Sequence, residues 1–279
     1  MSDLGGTTSP SQDAWKKDEH ARYFGTWDHL STATLVKICD QFNECQLFRT
    51  LADSKPSGSL SDVGCATGRF FRYFKKIAPG LEYKGFDISE AAIQYAKGLY
   101  PAGNFTRFDG DVKSTPDIRS DIVFCRDVVI HQENPSEFLS DLYDATKSYL
   151  ILRVRTRETG STVFDTAQSC QYVYGQWVPY MVYNTAELID LIRSFEPSPA
   201  KITLWRFPLV LGGENGRFVP KELYYPETGT AESALLIEKR ADGAAGETVV
   251  NIETHPETRG NELPGWARAL RQVARRLRV

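Results

Sequence analysis

The chain has 279 residues, 41% of them hydrophobic, which is enough apolar content for one well-packed domain with short appendages. Its formal net charge of −3 leaves no basic excess for neutralising phosphates, so we do not expect nucleic-acid binding. No apolar run approaches the ~20 residues of a membrane span, and the polar start carries no signal-peptide pattern, so we expect a cytoplasmic protein.

The 5 cysteines are odd in number and scattered along the sequence. They include no Cys-x-x-Cys pair, and no histidine stands near one of them at metal-ligand spacing. We therefore expect reduced, mostly buried thiols and no metal site.

Residues 1–30 are the first predicted region, which we call the aromatic arm. Its first residues are polar, and aromatic side chains then follow in quick succession between Trp15 and His29. Residues 31–52 have apolar positions at helical spacing, and a Pro- and Gly-containing stretch ends that helix. We expect residues 31–240 to form the main domain.

A glycine-rich turn follows the first predicted strand of that domain. Residues 62–68 read Asp-Val-Gly-Cys-Ala-Thr-Gly, and a helix is predicted directly after them. Glycines let the backbone approach a ligand closely, and the start of the helix offers unpaired N–H groups. The next strand ends at Asp87, 23 positions after Gly64, a spacing that suits a carboxylate binding two ribose hydroxyls.

The turn indicates which kind of nucleotide-like cofactor it would bind. A dinucleotide needs Gly-x-Gly-x-x-Gly for its pyrophosphate, and this pattern is not met here. Asp62 adds a negative charge that would repel phosphate but would attract the amino group of a zwitterion. A cationic cofactor without phosphate therefore fits best.

In these residues the chain resembles the class I S-adenosylmethionine (SAM)-dependent methyltransferases, over roughly residues 55–240. The first motif of that family is acid-x-Gly-x-Gly-x-Gly, and this sequence departs from it at Ala66, where the middle glycine usually stands. The resemblance implies SAM as the cofactor. The implied cofactor-binding residues are Asp62, Gly64, Ala66, Gly68, Asp87, Ile88, Asp111 and Arg126.

Predicted strands and helices alternate after the glycine-rich turn. Strands are expected at 104–108, 121–126 and 149–154, with a helix at 135–147. This alternation predicts an α/β fold with a doubly wound, mostly parallel sheet and helices on both faces. Two consecutive strands, 202–211 and 233–239, predict a C-terminal antiparallel hairpin, with which class I methyltransferases typically end their seven-stranded sheet.

The loop after the third strand is expected near the adenine of the cofactor. In terms of the family resemblance, Asp111 matches the acid that approaches the adenine amino group, and Asp109 is the alternative. A solvated turn without a ligand remains open as well, because Asp-Gly is a common turn sequence.

The end of the fourth strand is where we expect the chemistry, since ligands of such sheets bind at the carboxyl edge. His131 is the leading candidate for a base, because an unperturbed imidazole titrates near ~6.5. Its position resembles that of the histidine found in many small-molecule and sugar O-methyltransferases. A purely structural histidine is the alternative. Asp127 is the second catalytic candidate, unless it forms a structural ion pair with Arg126.

Residues 155–183 are predicted to be a substrate lid, because this segment is long and rich in aromatic side chains. The candidate substrate-binding residues are Arg155, Tyr174, Trp177 and Tyr180. Such a lid would suit a small-molecule or glycan acceptor, and the alternative is an aromatic cluster that only covers the sheet. Arg153 and Arg155 lie on one face of their strand, where they would meet either an anionic substrate or an acid such as Asp127.

The end of the sequence divides into a linker and a basic segment. Residues 241–263 are rich in Gly, Glu and Thr, which predicts a flexible linker. Residues 264–279, which we call the basic segment, read as an amphipathic helix whose polar face carries arginines and no acid. This helix would bind an anionic membrane surface at the cytoplasmic face, a partner protein, or its own domain.

The sequence therefore predicts a methyltransferase acting on a hydroxyl, with His131 as the base. An N-methyltransferase is the rival enzyme, although the Asn/Asp-Pro-Pro-aromatic motif expected for it after the fourth strand is missing. A degenerate methyltransferase-like binding module is the alternative outside the enzymes, and Ala66 is the residue that supports it.

Overall fold

The computed structural model describes residues 12–53, 56–165, 169–209, 211, 218–219, 227–241 and 244–255. The basic segment and the end of the predicted linker lie outside the described residues. Among the residues that are described, no helix is both long enough and apolar enough to cross a membrane.

Short helices and strands alternate along the chain. The helices are α1 (Asp18–Gly25), α2 (Thr32–Cys39), α3 (Asn43–Ala52), α4 (Phe71–Ile77), α5 (Glu90–Leu99), α6 (Pro135–Ala145) and α7 (Thr185–Arg193). Turns of 3-10 helix span Gln12–Lys16, Pro116–Ile118 and Val129–His131. The strands are β1 (Gly58–Val63), β2 (Leu81–Asp87), β3 (Asn104–Arg107), β4 (Ser120–Arg126), β5 (Thr146–Arg157), β6 (Cys170–Val173), β7 (Gln176–Pro179), β8 (Tyr183–Asn184), β9 (Lys201–Pro208), β10 (Phe218–Val219), β11 (Ala231–Glu238) and β12 (Val249–Thr254).

The main sheet confirms the predicted doubly wound architecture. Its strand order is β12-β9-β11-β5-β4-β1-β2-β3, with β8 beside the end of β5. Only β11 runs antiparallel to its neighbours β5 and β9, and the remaining described pairs of this sheet are parallel. The expected antiparallel hairpin is therefore the β9–β11 pair. The sheet has 9 strands rather than the expected seven, because β8 and β12 extend it.

The prediction of a flexible linker over residues 241–263 is wrong for its central part. Residues 249–254 form β12, which pairs in parallel register with β9 from Val249 opposite Lys201 to Thr254 opposite Arg206. The linker was predicted from composition over the whole stretch. Composition overlooked that four of the six residues in Val-Val-Asn-Ile-Glu-Thr are β-branched, which favours a strand.

The helices before the sheet and the predicted caps follow local sequence signals. The single helix expected over residues 31–52 is divided into α2 and α3. Ser89 caps α5 as predicted, since its hydroxyl accepts a hydrogen bond from Ala92 N at 3.2 Å. Asn184 likewise caps α7 by accepting from the backbone N–H groups of Ala186 and Glu187.

The sheet separates two hydrophobic cores. On one face, α6 and α7 pack against side chains that include Leu150 and Leu152 of β5. On the other face, α2 to α5 pack against side chains that include Leu60 and Ile151. Successive residues of β5 therefore alternate between two buried faces, as expected for a central strand of a parallel sheet.

The 5 cysteines are all buried and unpaired, which confirms the expectation of buried thiols without disulfides.

We predict that Leu152→Ala destabilises the protein by about 2–5 kcal/mol, because it leaves a cavity in a fully buried part of β5. Leu99→Ala is the matched control, since the side chain of Leu99 is 41% exposed. Urea unfolding of both variants measures the difference. Equal losses of unfolding free energy would contradict the burial of Leu152.

Candidate active site

The glycine-rich turn lies at the carboxyl end of β1 and is tied to β2. The backbone N–H groups of Gly64 and Cys65 both donate to Phe86 O, at 2.7 and 3.0 Å. Gly64 needs to be glycine, because its φ is 83° and a Cβ there would lie 2.2 Å from Val128 Cγ2. Ala66 adopts a φ of 49°, a left-handed conformation that an alanine enters at a cost of about 1–2 kcal/mol. Ala66 thus takes a backbone conformation that a glycine would adopt without this cost.

Asp87, the last residue of β2, stabilises this turn through hydrogen bonds. One carboxylate oxygen accepts a hydrogen bond from Ala66 N and the other from Ser89 N, both at 2.8 Å. Burial raises the pKa of Asp87 to about 6, against the opposing effect of these N–H donors. Since each carboxylate oxygen offers about two lone pairs, the same group retains acceptor capacity for ribose hydroxyls.

Asp62 lies on the neighbouring strand and is almost fully buried, at 1% exposure. It accepts a hydrogen bond from the Tyr83 hydroxyl at 2.7 Å. Burial raises the pKa of Asp62 to about 7, and the negative charge of Asp87 adds to the rise. A cation bound beside Asp62 would favour its ionised form, which is the behaviour expected of a carboxylate that binds an ammonium group.

Two residues predicted near the adenine, Ile88 and Asp111, differ in their surroundings. Ile88 is partly buried against the core, and Gly110 approaches it closely enough that a Cβ would lie 3.7 Å away. Asp111 is exposed, and its carboxylate accepts hydrogen bonds from the hydroxyl and backbone N–H of Ser114. Asp109 accepts from Asp111 N in the same turn. The geometry therefore favours the solvated-turn alternative for Asp111.

Arg126, at the end of β4, is held by α3. Its guanidinium forms an ion pair with Glu44 and stacks over the ring of Phe42 at 4.3 Å. Glu44 is fully buried, and its Oε2 has no hydrogen-bond partner among the described residues. Arg126 is near enough to Asp62 to lower the pKa of that carboxyl. The predicted contact with a cofactor remains a prediction, since the guanidinium is engaged by α3.

Asp127 follows directly and is bound by two arginines of β5. Its carboxylate accepts hydrogen bonds from Arg153 Nε at 2.8 Å and from Arg155 Nη1 at 2.9 Å. Glu232 of β11 contacts the same two guanidinium groups, at 3.0 and 3.4 Å. Burial opposes ionisation of Asp127, but the two arginines outweigh it and hold its pKa well below the usual range.

This network bears on two predictions made from the sequence. A carboxylate with a depressed pKa is a poor proton acceptor, which argues against Asp127 as a base. Arg155 is 8% exposed and paired with two acids, which argues against a direct contact with substrate. The alternative in which Arg153 and Arg155 meet Asp127 is the arrangement observed.

His131 ends the 3-10 turn that follows β4. Its Nδ1 lies 2.7 Å from Pro179 O, so the neutral ring donates from Nδ1 and carries its lone pair on Nε2. The ring is 9% exposed and lies 4.6 Å, centroid to centroid, from the tilted ring of Trp15 in the aromatic arm. The ring of Tyr180 lies 6.0 Å away.

The aromatic arm contributes residues for which the sequence analysis assigned no role. His20 is buried beside Trp15, and burial lowers its pKa to about 3, helped by the charge of Arg69. The guanidinium of Arg69, the residue after the glycine-rich turn, lies between the rings of Phe24 and Trp27, at 4.5 and 4.0 Å. The run of aromatic residues was visible in the sequence. Its contact with His131 could not be predicted, because the two segments are far apart along the chain.

Within the predicted lid, β6 and β7 form a hairpin that pairs with β10 in a small antiparallel sheet, while residues 155–157 belong to β5. Tyr174 lies in the turn between β6 and β7, 6.0 Å from both Trp15 and His20. Trp177 instead packs on Tyr172, on the hairpin face opposite the residues that contact the arm. Tyr180 therefore lies near His131, Tyr174 lies near the arm residues beside it, and Trp177 faces away from the arm.

Metal-binding groups are not gathered at this site. Among the residues that the structure describes, no three His, Cys, Asp or Glu side chains are grouped so that they could hold a metal ion.

Residues 61–151 match a family model described as "Methyltransferase domain". That range contains the glycine-rich turn, Asp87 and His131, and it ends before Arg153. No curated protein matches the chain in sequence.

Several solved structures resemble the chain at low identity. The magnesium protoporphyrin IX methyltransferase (ChlM) from Synechocystis PCC 6803 with bound SAM is 16% identical, with a TM-score of 0.48, covering 82% of this chain and 94% of that one. A SAM-dependent methyltransferase from Archaeoglobus fulgidus is 19% identical, with a TM-score of 0.47, covering 77% and 98%. The plantazolicin methyltransferase BpumL, in complex with a pentazolic desmethylPZN analog and SAH, is 18% identical, with a TM-score of 0.49, covering 82% and 94%.

We predict that Asp62→Asn stabilises the ligand-free protein at a pH above 7 but not near pH 4. Ionisation of the buried carboxyl is disfavoured in the folded state, where its pKa is raised from 3.8 to about 7. The unfolded chain therefore releases this proton first, and stability falls as pH rises from about 4 to about 7, by at most about 4 kcal/mol. Asparagine removes that loss and still accepts from Tyr83.

Urea unfolding at both pH values measures this effect. The exposed Asp117→Asn is the matched control, because it removes the same charge from the surface. A pH dependence of Asp62→Asn identical to that of the unsubstituted protein would contradict the role given to Asp62.

We also predict that Asp127→Asn lowers the unfolding free energy by about 2 kcal/mol, because it weakens charge-assisted hydrogen bonds to two buried arginines. Asparagine tolerates the left-handed φ of 60° that Asp127 adopts, so the substitution tests the charge and not the backbone. Urea unfolding against Asp117→Asn measures the loss. An unchanged stability with abolished turnover would instead restore Asp127 as a base.

Proposed function

We propose that this chain, a SAM-dependent methyltransferase by its methyltransferase domain, methylates a hydroxyl group of a small-molecule or saccharide acceptor, with His131 as the base. The observation that carries the proposal is the contact between His131 Nδ1 and Pro179 O at 2.7 Å. This hydrogen bond orients the ring and places its basic nitrogen at Nε2. The ring lies at the carboxyl edge of the sheet, beyond β4, where ligands of such folds bind.

The residues of the glycine-rich turn fit SAM. Thr67 Oγ1 is buried and has no hydrogen-bond partner among the described residues, so the turn retains an unused polar atom. Asp87 would bind the ribose hydroxyls, and Asp62 would bind the amino group of the methionine part. SAM supplies an electrophilic methyl group on a sulfonium, so the protein's remaining task is to align the acceptor and remove its proton.

Proton removal from the acceptor is the step assigned to His131. SAM would supply the methyl group and leave as the neutral thioether when its carbon–sulfur bond breaks. The proton of the acceptor hydroxyl would pass to His131 Nε2, while the Nδ1–H remains bonded to Pro179 O. The carbonyl stabilises the resulting imidazolium, because its oxygen faces the positive ring. General-base assistance of this kind contributes about 10²–10⁴-fold to a rate.

The electrostatics beside His131 favour a neutral acceptor. Three arginines there are matched by three acids, and the pairs are Arg126 with Glu44, and Arg153 and Arg155 with Asp127 and Glu232. This set of side chains therefore offers no surplus positive charge to an anionic acceptor. Aromatic side chains near His131, Trp15, Tyr174 and Tyr180, suit the faces of a sugar or of a flat ring.

A chain that binds SAM without transferring its methyl group is the second candidate, and Ala66 favours it. The Cβ of Ala66 occupies the turn where the family has a glycine, and its N–H is bound to Asp87. Retained SAM binding with no turnover on any hydroxyl or amine acceptor would support this candidate. Transfer to amines alone would support N-methylation instead.

We predict that His131→Ala lowers the turnover number by about 10²–10⁴-fold while SAM binding is retained. The acceptors are screened with radiolabelled SAM, and SAM binding is measured by calorimetry. The exposed His29→Ala is the matched control, because it removes an imidazole from the same protein outside the site. Unchanged turnover of His131→Ala would exclude the base role. Loss of both SAM binding and turnover would point to a structural role.

A further inference from the structure

A groove runs between α7 and β12 at the edge of the main sheet. Its walls are the exposed side of α7, including Ala186 and Asp190, and the side chains of Val250 and Ile252 on β12. Glu158 closes one end. The groove lies on the same face of the sheet as α6 and α7, since Val250 packs against the core that those helices cover.

The face of β12 that lines the groove is more exposed to solvent than is usual for a strand with β-branched apolar side chains. Ile252, on the groove face, is 49% exposed, although it is a β-branched side chain in a regular strand. The buried core of this face contains residues of β4, β5, β9 and β11, but β12 contributes to it only through the partly buried Val250. A parallel edge strand of an α/β sheet is normally covered by a helix on such a face.

The chain continues from β12 into the basic segment, residues 264–279. On this half of the sheet, α6 and α7 follow strands that run parallel to β12 and pack on the groove face. A helix that follows β12 and packs on the same face would reach the groove. Residues 256–263 are long enough to make the connection, at up to about 3.3 Å per residue.

The length and surface of the basic segment fit the groove. A helix of its 16 residues would be about 24 Å long, close to the length of about 20 Å for the six residues of β12. Its apolar stripe contains Trp266, Leu270, Val273 and Leu277. Glu158 and Asp190 at the groove are 59% and 75% exposed and already pair with Arg206 and Arg193, so the arginines of the segment would share these carboxylates with them.

We propose that the basic segment docks as a helix in the groove between α7 and β12 and completes the helix layer over β12. The stripe of apolar residues covers Val250 and Ile252, and the arginines face the exposed acids. This inference is independent of the proposed function, because the groove is formed by different residues from those around His131.

Cysteine cross-linking in the full chain tests the docking. The native cysteines are all buried, so introduced cysteines are the accessible ones. Ile252→Cys is combined in turn with Leu270→Cys, Val273→Cys and Leu277→Cys, and each pair is oxidised at low protein concentration. Glu253→Cys replaces Ile252→Cys in the matched controls, because successive strand residues point to opposite faces.

The expected result is an intramolecular disulfide in at least one Ile252→Cys pair, formed about tenfold faster than in its Glu253→Cys control, because docking raises the local thiol concentration. Disulfides between two chains would show that a second copy fills the groove. Cross-linking at equal rates in both series would overturn the proposal.

Hydrogen exchange provides a second measurement that does not depend on cysteine variants. Deletion of residues 264–279 is expected to speed exchange across residues 249–254 and to leave β1 unchanged. The same exchange is measured with phosphatidylcholine vesicles that contain phosphatidylserine. Equal exchange in the full and shortened chains, or release of the segment onto the vesicles with no change at β12, would contradict docking.

Discussion

The ion pairs between Asp127 and two arginines of β5 determine how the chain leaves β4. Asp127 adopts a left-handed conformation there, and Arg153 and Arg155 hold its carboxylate from the adjacent strand. The 3-10 turn that carries His131 begins two residues later. The position of the imidazole therefore depends on buried charges that take no part in proton transfer. Glu232 and Glu44 balance those charges, which reduces the cost of placing the arginines in a mostly buried part of the domain.

The cofactor half of the site was largely predictable from the sequence, because its determinants are local. Gly64 and Gly68 mark a turn, Asp87 follows at a set distance, and Ser89 caps the next helix where the sequence indicates a cap. The acceptor half was not predictable to the same degree. The partners of Asp127 are 26 and 28 positions away, so the sequence offered this pairing only as one alternative to an anionic substrate. β12 was missed because a composition judged over 23 residues concealed a strand of 6.

The family model matches only part of the candidate site. Residues 61–151 contain the turn, Asp87 and His131. Trp15, Glu44, Arg155 and Tyr180 lie outside that range, yet they surround Arg126 and His131. The matched part therefore holds the glycine-rich turn and His131. The flanking parts supply the aromatic and charged side chains that pack around them.

The aromatic arm covers His131. Lys17 Nζ donates to Tyr174 O and Gln12 Nε2 donates to Gln132 Oε1, both at 2.8 Å, while the ring of Trp15 lies 4.6 Å from that of His131. The imidazole is 9% exposed, so these few contacts would have to open before a large molecule reached it. Such local opening requires much less free energy than unfolding of the domain. For the acceptor proposed above, opening of the arm would thus precede each turnover.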